Sequence, residues 1–414
     1  MDRADAVVIG AGLTGVTAAL ELARAGIDVA LVEQDSVAFN RASLRNEGKI
    51  HLGFVFAHDA SLATANLMIA GALRFRSLLS RLAGPEIDRL TRSHPFTYTV
   101  PHDSLLGPDE VEQRFAAIEA EYRRQAEADS NNDYLGSHPT RLYARVPLAS
   151  LDAHLAADGV EAAFSTAEVA IDTQELALCL RRALANERRI RILSARRVER
   201  VVRVDRAFSV VGTGPGGGWD IEAGHVVNAT WENRFAIDAT AAMRHAPGWL
   251  HRLKYRVIAQ LPPALRDGPS LTMVVGRYGD VVIRQDGTAY FSWYPGGLRG
   301  WTSALAPPSE WNAPCRGEVP DRKGREIAAA MLGGIDRWYP GAAASTVLTV
   351  DAGVIVAYGA TDVDDPSSGL HDRTRVGVTS AGRYHSVDPG KLTTAPMFGM
   401  QAARAVLDEM AAVS

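Results

Sequence analysis

Three glycines and one acid set the first chemical expectation. Gly10, Gly12 and Gly15 follow the apolar run Val7-Val8-Ile9, and Glu33 closes a second apolar run, Ile27 to Val32. Gly10 permits a tight turn out of a strand. Gly12 leaves no side chain between the backbone and a pyrophosphate, and Gly15 allows a helix to pack closely on the strand. A helix starting at such a turn points free N–H groups at phosphates. Glu33 is placed to accept hydrogen bonds from a ribose diol, and its charge repels a 2′-phosphate. The chemistry is dinucleotide binding, and this unit alone fits FAD and NAD equally. A glycine turn between two core strands is the plainer alternative. The strand before, the helix after and the acid at the right distance argue against it.

The elements that hold these residues form a β-α-β unit of about 30 residues. Its helix runs from Val16 to Ala25 and ends at Gly26, where a left-handed residue is favoured. After Glu33 the segment Val37 to Gly53 has no helix or strand period and is dense in Asn40, Ser43, Arg45, Asn46 and Gly48. A loop of that composition can continue along a nucleotide, its donors meeting the pyrophosphate. Lys49 to Leu52 would then run toward the far end.

The rest of the chain alternates. Helices are expected at Ser61–Leu82, Pro108–Glu127, Gln174–Asn186, Asp321–Trp338 and Pro396–Met410. Buried strands are expected at Ile190–Leu193, Val198–Val204 and His225–Thr230. Four short β runs between Tyr255 and Tyr294 suggest an antiparallel sheet. The expected fold class is α/β: a Rossmann-like nucleotide domain made of 1–56, 150–240 and 346–414. An α+β second domain, 57–149 and 241–345, is inserted around its antiparallel sheet, with a cleft between the two.

The chain has 414 residues and a net charge of −4, so no basic surface argues for nucleic acid. Hydrophobic content of 47% and charged content of 22% are ordinary for a globular protein. No apolar run reaches the roughly 20 residues that span a bilayer, and no secretion leader is read at the start. The two cysteines, Cys179 and Cys315, form no metal or redox spacing. No metal site is expected, and a reducing cytoplasm fits. Basic residues are almost all Arg; the lysines are Lys49, Lys254, Lys323 and Lys391.

At this point three separated segments resemble a known family. They are the opening fingerprint with Glu33, the segment Ser43-Leu-Arg-Asn-Glu-Gly-Lys-Ile-His-Leu-Gly53, and Gly390-Lys-Leu-Thr-Thr-Ala395 before the last helix. Val227-Asn-Ala-Thr230 is a fourth, weaker match. Together they resemble the FAD-dependent oxidoreductases of the D-amino-acid oxidase type. That group includes glycine and sarcosine oxidases, glycerol-3-phosphate dehydrogenase and L-2-hydroxyglutarate dehydrogenase.

The resemblance implies FAD, held by Gly10, Gly12, Leu13, Thr14, Gly15, Glu33 and Gln34 at the adenosine half. Ser43, Arg45, Asn46, Lys49, Ile50, Val198, Ala229, Thr230, Gly390, Lys391, Leu392 and Thr393 continue along it. It implies hydride transfer to flavin N5 from a C–H bond next to nitrogen or oxygen, with a small-molecule substrate and oxygen or another electron acceptor. Lys391 would sit near the flavin N1–C2=O edge, where positive charge raises electron affinity. His51 and His385 are candidate catalytic residues; a base, a substrate ligand and a structural partner all remain open for His51. Two departures stand out. Many members carry an Arg in a Gly-x-Arg-Pro turn that holds a substrate carboxylate, whereas Asp351-Ala-Gly-Val-Ile-Val-Ala357 has Ile355 and Val356 there. The usual Ala-Thr-Gly turn is Ala229-Thr-Trp231. A quinone or protein acceptor, and an FAD scaffold without turnover, are the alternative readings.

Overall fold

The computed structural model describes residues 2–151, 154–156, 159–359, 365, 369 and 372–412. Its strands are β1 (Asp2–Ile9), β2 (Val29–Val32), β3 (Phe96–Pro101), β4 (Tyr143–Val146), β5 (Val160–Thr166), β6 (Ile190–Leu193), β7 (Arg197–Val204), β8 (Ala207–Gly214) and β9 (Gly217–Asn228). They continue as β10 (Trp249–Gln260), β11 (Ser270–Met273), β12 (Gly279–Ile283), β13 (Thr288–Trp293), β14 (Leu298–Thr302), β15 (Thr346–Tyr358), β16 (Gly377–Ala381) and β17 (Tyr384–Asp388).

Two mixed sheets divide the strands. The first has the order β16-β17-β9-β1-β2-β6, with the β7–β8 hairpin joined to β9. The β1 residues Val7, Val8 and Ile9 are buried on both faces, as a parallel strand with covered faces must be. They pair in parallel with β2 and with β9. Helix Leu13–Arg24 packs on this sheet. A Cβ at Gly15 would lie 1.9 Å from the Gly10 carbonyl oxygen, so only glycine lets the helix come this close. Helix Ala395–Ala411 packs beside it through buried Phe398, Ala402, Ala403 and Val406.

The second sheet runs β14-β10-β13-β12-β11-β3-β5-β4, with β15 along β10. Helix Asp321–Asp336 brings Ile327, Met331 and Ile335 into one cluster with Tyr255, Val257 and Phe291. Elsewhere Phe115, from helix Pro108–Glu127, meets Phe54, Tyr98 and Phe164 edge-on at 4.6, 5.7 and 5.3 Å. Edge-to-face rings set the positive rim of one against the negative face of another.

The sheets correct the expected boundaries at two places. β5 pairs with β3 and β4, and β15 pairs with β10 along its whole length, so 160–166 and 346–358 are strands of the second sheet. Partner strands far apart in sequence decide this, and local pattern does not carry them. The second sheet is also not wholly antiparallel, because β11 lies parallel to β3. A parallel pair needs a long crossover, and the chain between these strands returns through the first sheet. The segment 169–172 makes only isolated bridges, among them Ala170 to Lys49.

The loop 37–53 is fastened to the second sheet by charge. Asp351 on β15 accepts from Arg256 Nε at 2.6 Å, Arg256 Nη2 at 3.1 Å and Arg45 Nη1 at 2.6 Å. Removing one partner of a buried ion pair costs about 3–5 kcal/mol, because the remaining charge is left uncompensated. Asp351→Ala is expected to lose stability on that scale and to lower the calorimetric unfolding midpoint. An unchanged midpoint would show that this clamp carries no stability.

Candidate active site

A cavity of about 720 Å³ lies between the two sheets, within the size range of small-molecule sites. One end is built by the opening unit. Gly10 leaves β1 at φ 95°, and a Cβ there would lie 2.7 Å from the Ala229 carbonyl oxygen. The N–H of Leu13, at the helix start, donates to Ser43 Oγ at 2.9 Å. Glu33 is buried, and its two oxygens accept from the N–H groups of Ala11 (2.8 Å) and Asp35 (2.9 Å). Burial pushes the Glu33 carboxyl up to about 7, although both N–H groups favour its charged form. The backbone of β6 and the chain leading to β7 flanks it, Glu33 N–H bonding the Leu193 carbonyl and Arg196 N–H the Glu33 carbonyl.

The opposite end is built by three segments that meet. Lys49 is buried and donates from Nζ to Thr272 Oγ1 at 2.6 Å and to Asp280 at 2.9 Å, with the Phe96 ring 3.9 Å away. His51 Nε2 lies 3.5 Å from Glu47, and Nδ1 lies 4.0 Å from Glu168. Thr393 Oγ1 accepts from the His51 N–H at 2.9 Å and reaches the Lys49 carbonyl at 3.3 Å. Beside them the cavity is lined by Lys254, Tyr290, Tyr294, Arg373 and Lys391. Arg373 is buried and donates from Nη1 to the Val356 carbonyl at 3.0 Å.

Charge at this end is unbalanced toward positive. Burial would raise Glu47, but the bond to His51 and the charges of Lys391 and Lys49 hold it well below the usual carboxylate range. Burial lowers His51 below its ordinary value, with Glu47 opposing, so the imidazole is neutral at pH 7. Burial pushes Lys391 down to about 8, which leaves it mainly charged at neutral pH.

A family model described as FAD dependent oxidoreductase matches residues 5–404. The chain belongs to that family. It is an FAD-dependent oxidoreductase. Solved structures agree in fold. Glycine oxidase from Geobacillus kaustophilus has a TM-score of 0.69 at 13% identity, covering 99% of this chain and 95% of its own. L-alpha-glycerophosphate oxidase from Mycoplasma pneumoniae, with FAD bound, has a TM-score of 0.67 at 17% identity over 98% and 95%. Iminodiacetate oxidase from Chelativorans sp. BNC1 has a TM-score of 0.65 at 19% identity over 97% and 95%. No curated protein matches by sequence.

The residues present fit FAD. The Gly10 and Gly12 backbone is open to the cavity, where a Cβ on Gly12 would instead meet Ser43 Oγ at 2.9 Å. Leu13, Thr14, Glu33, Gln34, Ser43, Arg45, Asn46, Lys49, His51, Val198, Ala229, Thr230, Gly390, Lys391 and Leu392 all line the cavity. Four expected site residues do not. Gly15 acts in packing, as above. Ile50 is fully buried, and its carbonyl accepts from the Tyr134 hydroxyl at 2.8 Å. Thr393 is buried behind the lining and orients His51. His385 is corrected outright. It faces helix Ala395–Ala411, its ring stacked at 6.2 Å on His225, so a catalytic part in the cavity is ruled out by position. Being on the strand that leads into Gly390 placed it close in sequence but on another face of the sheet.

Arg45 and Asn46 line the cavity, yet their side chains are committed to the fold. Arg45 reaches Asp351 and the Cys315 and Arg316 carbonyls. Asn46 closes its own turn on Ala42, Ser43 and Gly48. Among the residues between 255 and 294, Tyr255, Arg256, Tyr290 and Tyr294 line the cavity, and Tyr278, Arg284 and Ser292 are not among the lining residues. Sequence reading gave no role to Glu47, although it stands in the quoted segment. Arg373 carried no signal, because it follows β15 in a stretch with no period.

Gly10→Ala tests the adenosine end. The strained φ and the 2.7 Å approach to Ala229 predict a protein that purifies with several-fold less flavin. The ratio of flavin to protein absorbance reads this directly.

Proposed function

We propose that this enzyme oxidises the C–H bond beside a hydroxyl or amino group of a small, carboxylate-bearing metabolite. The carrying observation is the set of buried cations around the His51–Glu47 pair, with Arg373 among them. β15 lacks the expected Arg at Ile355 and Val356. The guanidinium of Arg373 reaches the same strand from the following segment and donates to the Val356 carbonyl. Its Nε has no hydrogen-bond partner among the described residues. A substrate carboxylate beside Arg373 satisfies that donor and balances the excess positive charge.

Bound FAD supplies the hydride acceptor for such a reaction. The chain's own residues do the rest. Arg373 orients the substrate by its carboxylate, and Tyr290 and Tyr294 wall the carbon being oxidised and keep water out. For a hydroxyl donor, neutral His51, whose Nε2 faces Glu47, takes the O–H proton at Nδ1, the ring nitrogen without a partner among the described residues, and Glu47 stabilises the imidazolium so formed. This pair favours the hydroxyl donor over the amine, which needs no base once neutral. Lys391, which lines the cavity and is mainly charged at neutral pH, would favour the added electron density of a reduced flavin held there. The relatives named above act on glycine, glycerophosphate and iminodiacetate by their names, and two of the three carry a carboxylate.

The direct test is anaerobic mixing with 2-hydroxy acids, amino acids and neutral alcohols, reading loss of flavin absorbance. Bleaching by neutral alcohols alone would overturn the carboxylate reading. Under air, stoichiometric peroxide distinguishes oxygen from a quinone or protein acceptor. Arg373→Ala is expected to raise KM for a carboxylate substrate by about 10²-fold or more, as loss of a buried charged partner costs roughly 2–5 kcal/mol, while flavin content stays unchanged. His51→Asn is expected to lower kcat/KM for a hydroxyl donor by about 10²–10⁴-fold. Since the His51 pKa lies below 6.5, the wild-type rate falls as pH drops below that value, and this acid limb disappears in the variant.

A further inference from the structure

Away from the cavity, two histidines and a glutamate converge on the other side of the first sheet. His225 lies on β9 and His385 on β17, neighbouring parallel strands, and Glu409 lies on helix Ala395–Ala411. Their ligand atoms all fall within 4.8 Å of one another. His225 Nδ1 is 3.6 Å from Glu409 Oε2, and His385 Nε2 is 3.9 Å from the same oxygen. These are too long for hydrogen bonds. His225 and His385 are 4% and 0% exposed. Nδ1, Nε2 and Oε2 are all buried, and none has a partner among the described residues.

A buried polar atom without a partner is costly, and three aimed at one point are unusual. We propose that His225, His385 and Glu409 form a binding site for a divalent first-row cation, with Zn²⁺ the best match. Two imidazoles and one carboxylate are a known zinc donor set, and a water completes the fourth position. Tetrahedral bonds of about 2.0–2.2 Å set donor atoms about 3.4 Å apart, closer than the 3.6 and 3.9 Å at which the histidine nitrogens stand from Glu409 Oε2. The remaining details agree. Ser380 Oγ lies 2.8 Å from His385 Nδ1, which fixes the ring with Nε2 toward the site, as outer partners of metal-bound histidines do. Glu409 is half-buried at the rim, which gives an entry path. The side chain of Arg383 lies near enough to weigh against a cation, and its Nη1 is held by the Arg206 carbonyl.

The site has a structural purpose. β9 runs directly into Ala229 and Thr230, and β17 into Gly390 and Lys391, all lining the cofactor cavity. A cation would pin both strands to the last helix and steady those segments.

The experiment is titration of the chelator-treated flavoprotein with Zn²⁺ against a chromophoric zinc indicator, then substitution with Co²⁺. One tight equivalent, a low-symmetry Co²⁺ spectrum and a Zn²⁺-dependent rise in the unfolding midpoint are expected. Glu409→Gln and His385→Gln should each weaken binding by about 100-fold or more. Ser380→Ala should weaken it by about 10-fold, the low end for an outer partner. Unchanged flavin absorbance in each variant shows that the fold persists. No stoichiometric uptake by the wild type, or equal uptake by Glu409→Gln, would overturn the proposal.

Discussion

The carboxylate of Asp351 is the constraint on which the active site rests. It sits on β15 with its side chain 1% exposed and receives one guanidinium from the neighbouring strand and one from the loop 37–53. Arg256 comes from β10 and also donates to the Leu44 and Asn46 carbonyls. Arg45 comes from the loop itself and also reaches the Cys315 and Arg316 carbonyls. The loop 37–53 has almost no regular secondary structure. Its buried carbonyls therefore need donors from elsewhere, since unpaired backbone groups are expensive away from water. Two arginines anchored by one acid supply them. Arg41 adds a second tie, joining Asp35 to Glu232 and Asn312.

From that anchoring the rest of the site follows. A fixed loop brings Glu47, Lys49 and His51 against the second sheet, where Thr272 and Asp280 hold Lys49. The C-terminal segment closes the arrangement through Thr393, which ties His51 and Lys49 at once. One carboxylate for two guanidiniums leaves a positive excess, and Lys254, Lys391 and Arg373 add to it. In a low-dielectric cleft such an excess acts strongly on an anion. In the proposed reaction it would serve both an anionic substrate and a cofactor that gains electron density.

Legibility in the sequence tracked how local the cause was. Gly10, Gly12, Gly15 and Glu33 were readable because one β-α-β unit contains the whole device. Helix Pro108–Glu127 was readable to the residue, from Val111, Phe115, Ile118 and Tyr122 at one face and Pro108 at its first turn. β5 and β15 were placed in the wrong sheet, because a strand's partners lie up to hundreds of residues away. His385 was read as an active-site candidate because a histidine can move between neutral and cationic forms near physiological pH. Alternation along β17 turned it to another face, toward His225 and Glu409.

The sequence by itself determined the cofactor class, the α/β fold class and the segments that line the cavity. Each of those depends on short-range spacing, which folding preserves. Only the tertiary structure decided which charges meet. Arg373 donates to the β15 backbone, Asp351 joins two arginines, and Glu47 stands beside His51 with its charge held by Lys49 of its own loop and by Lys391 from the distant C-terminal segment. Those pairings are set by packing of the sheets, and no spacing along the chain encodes them.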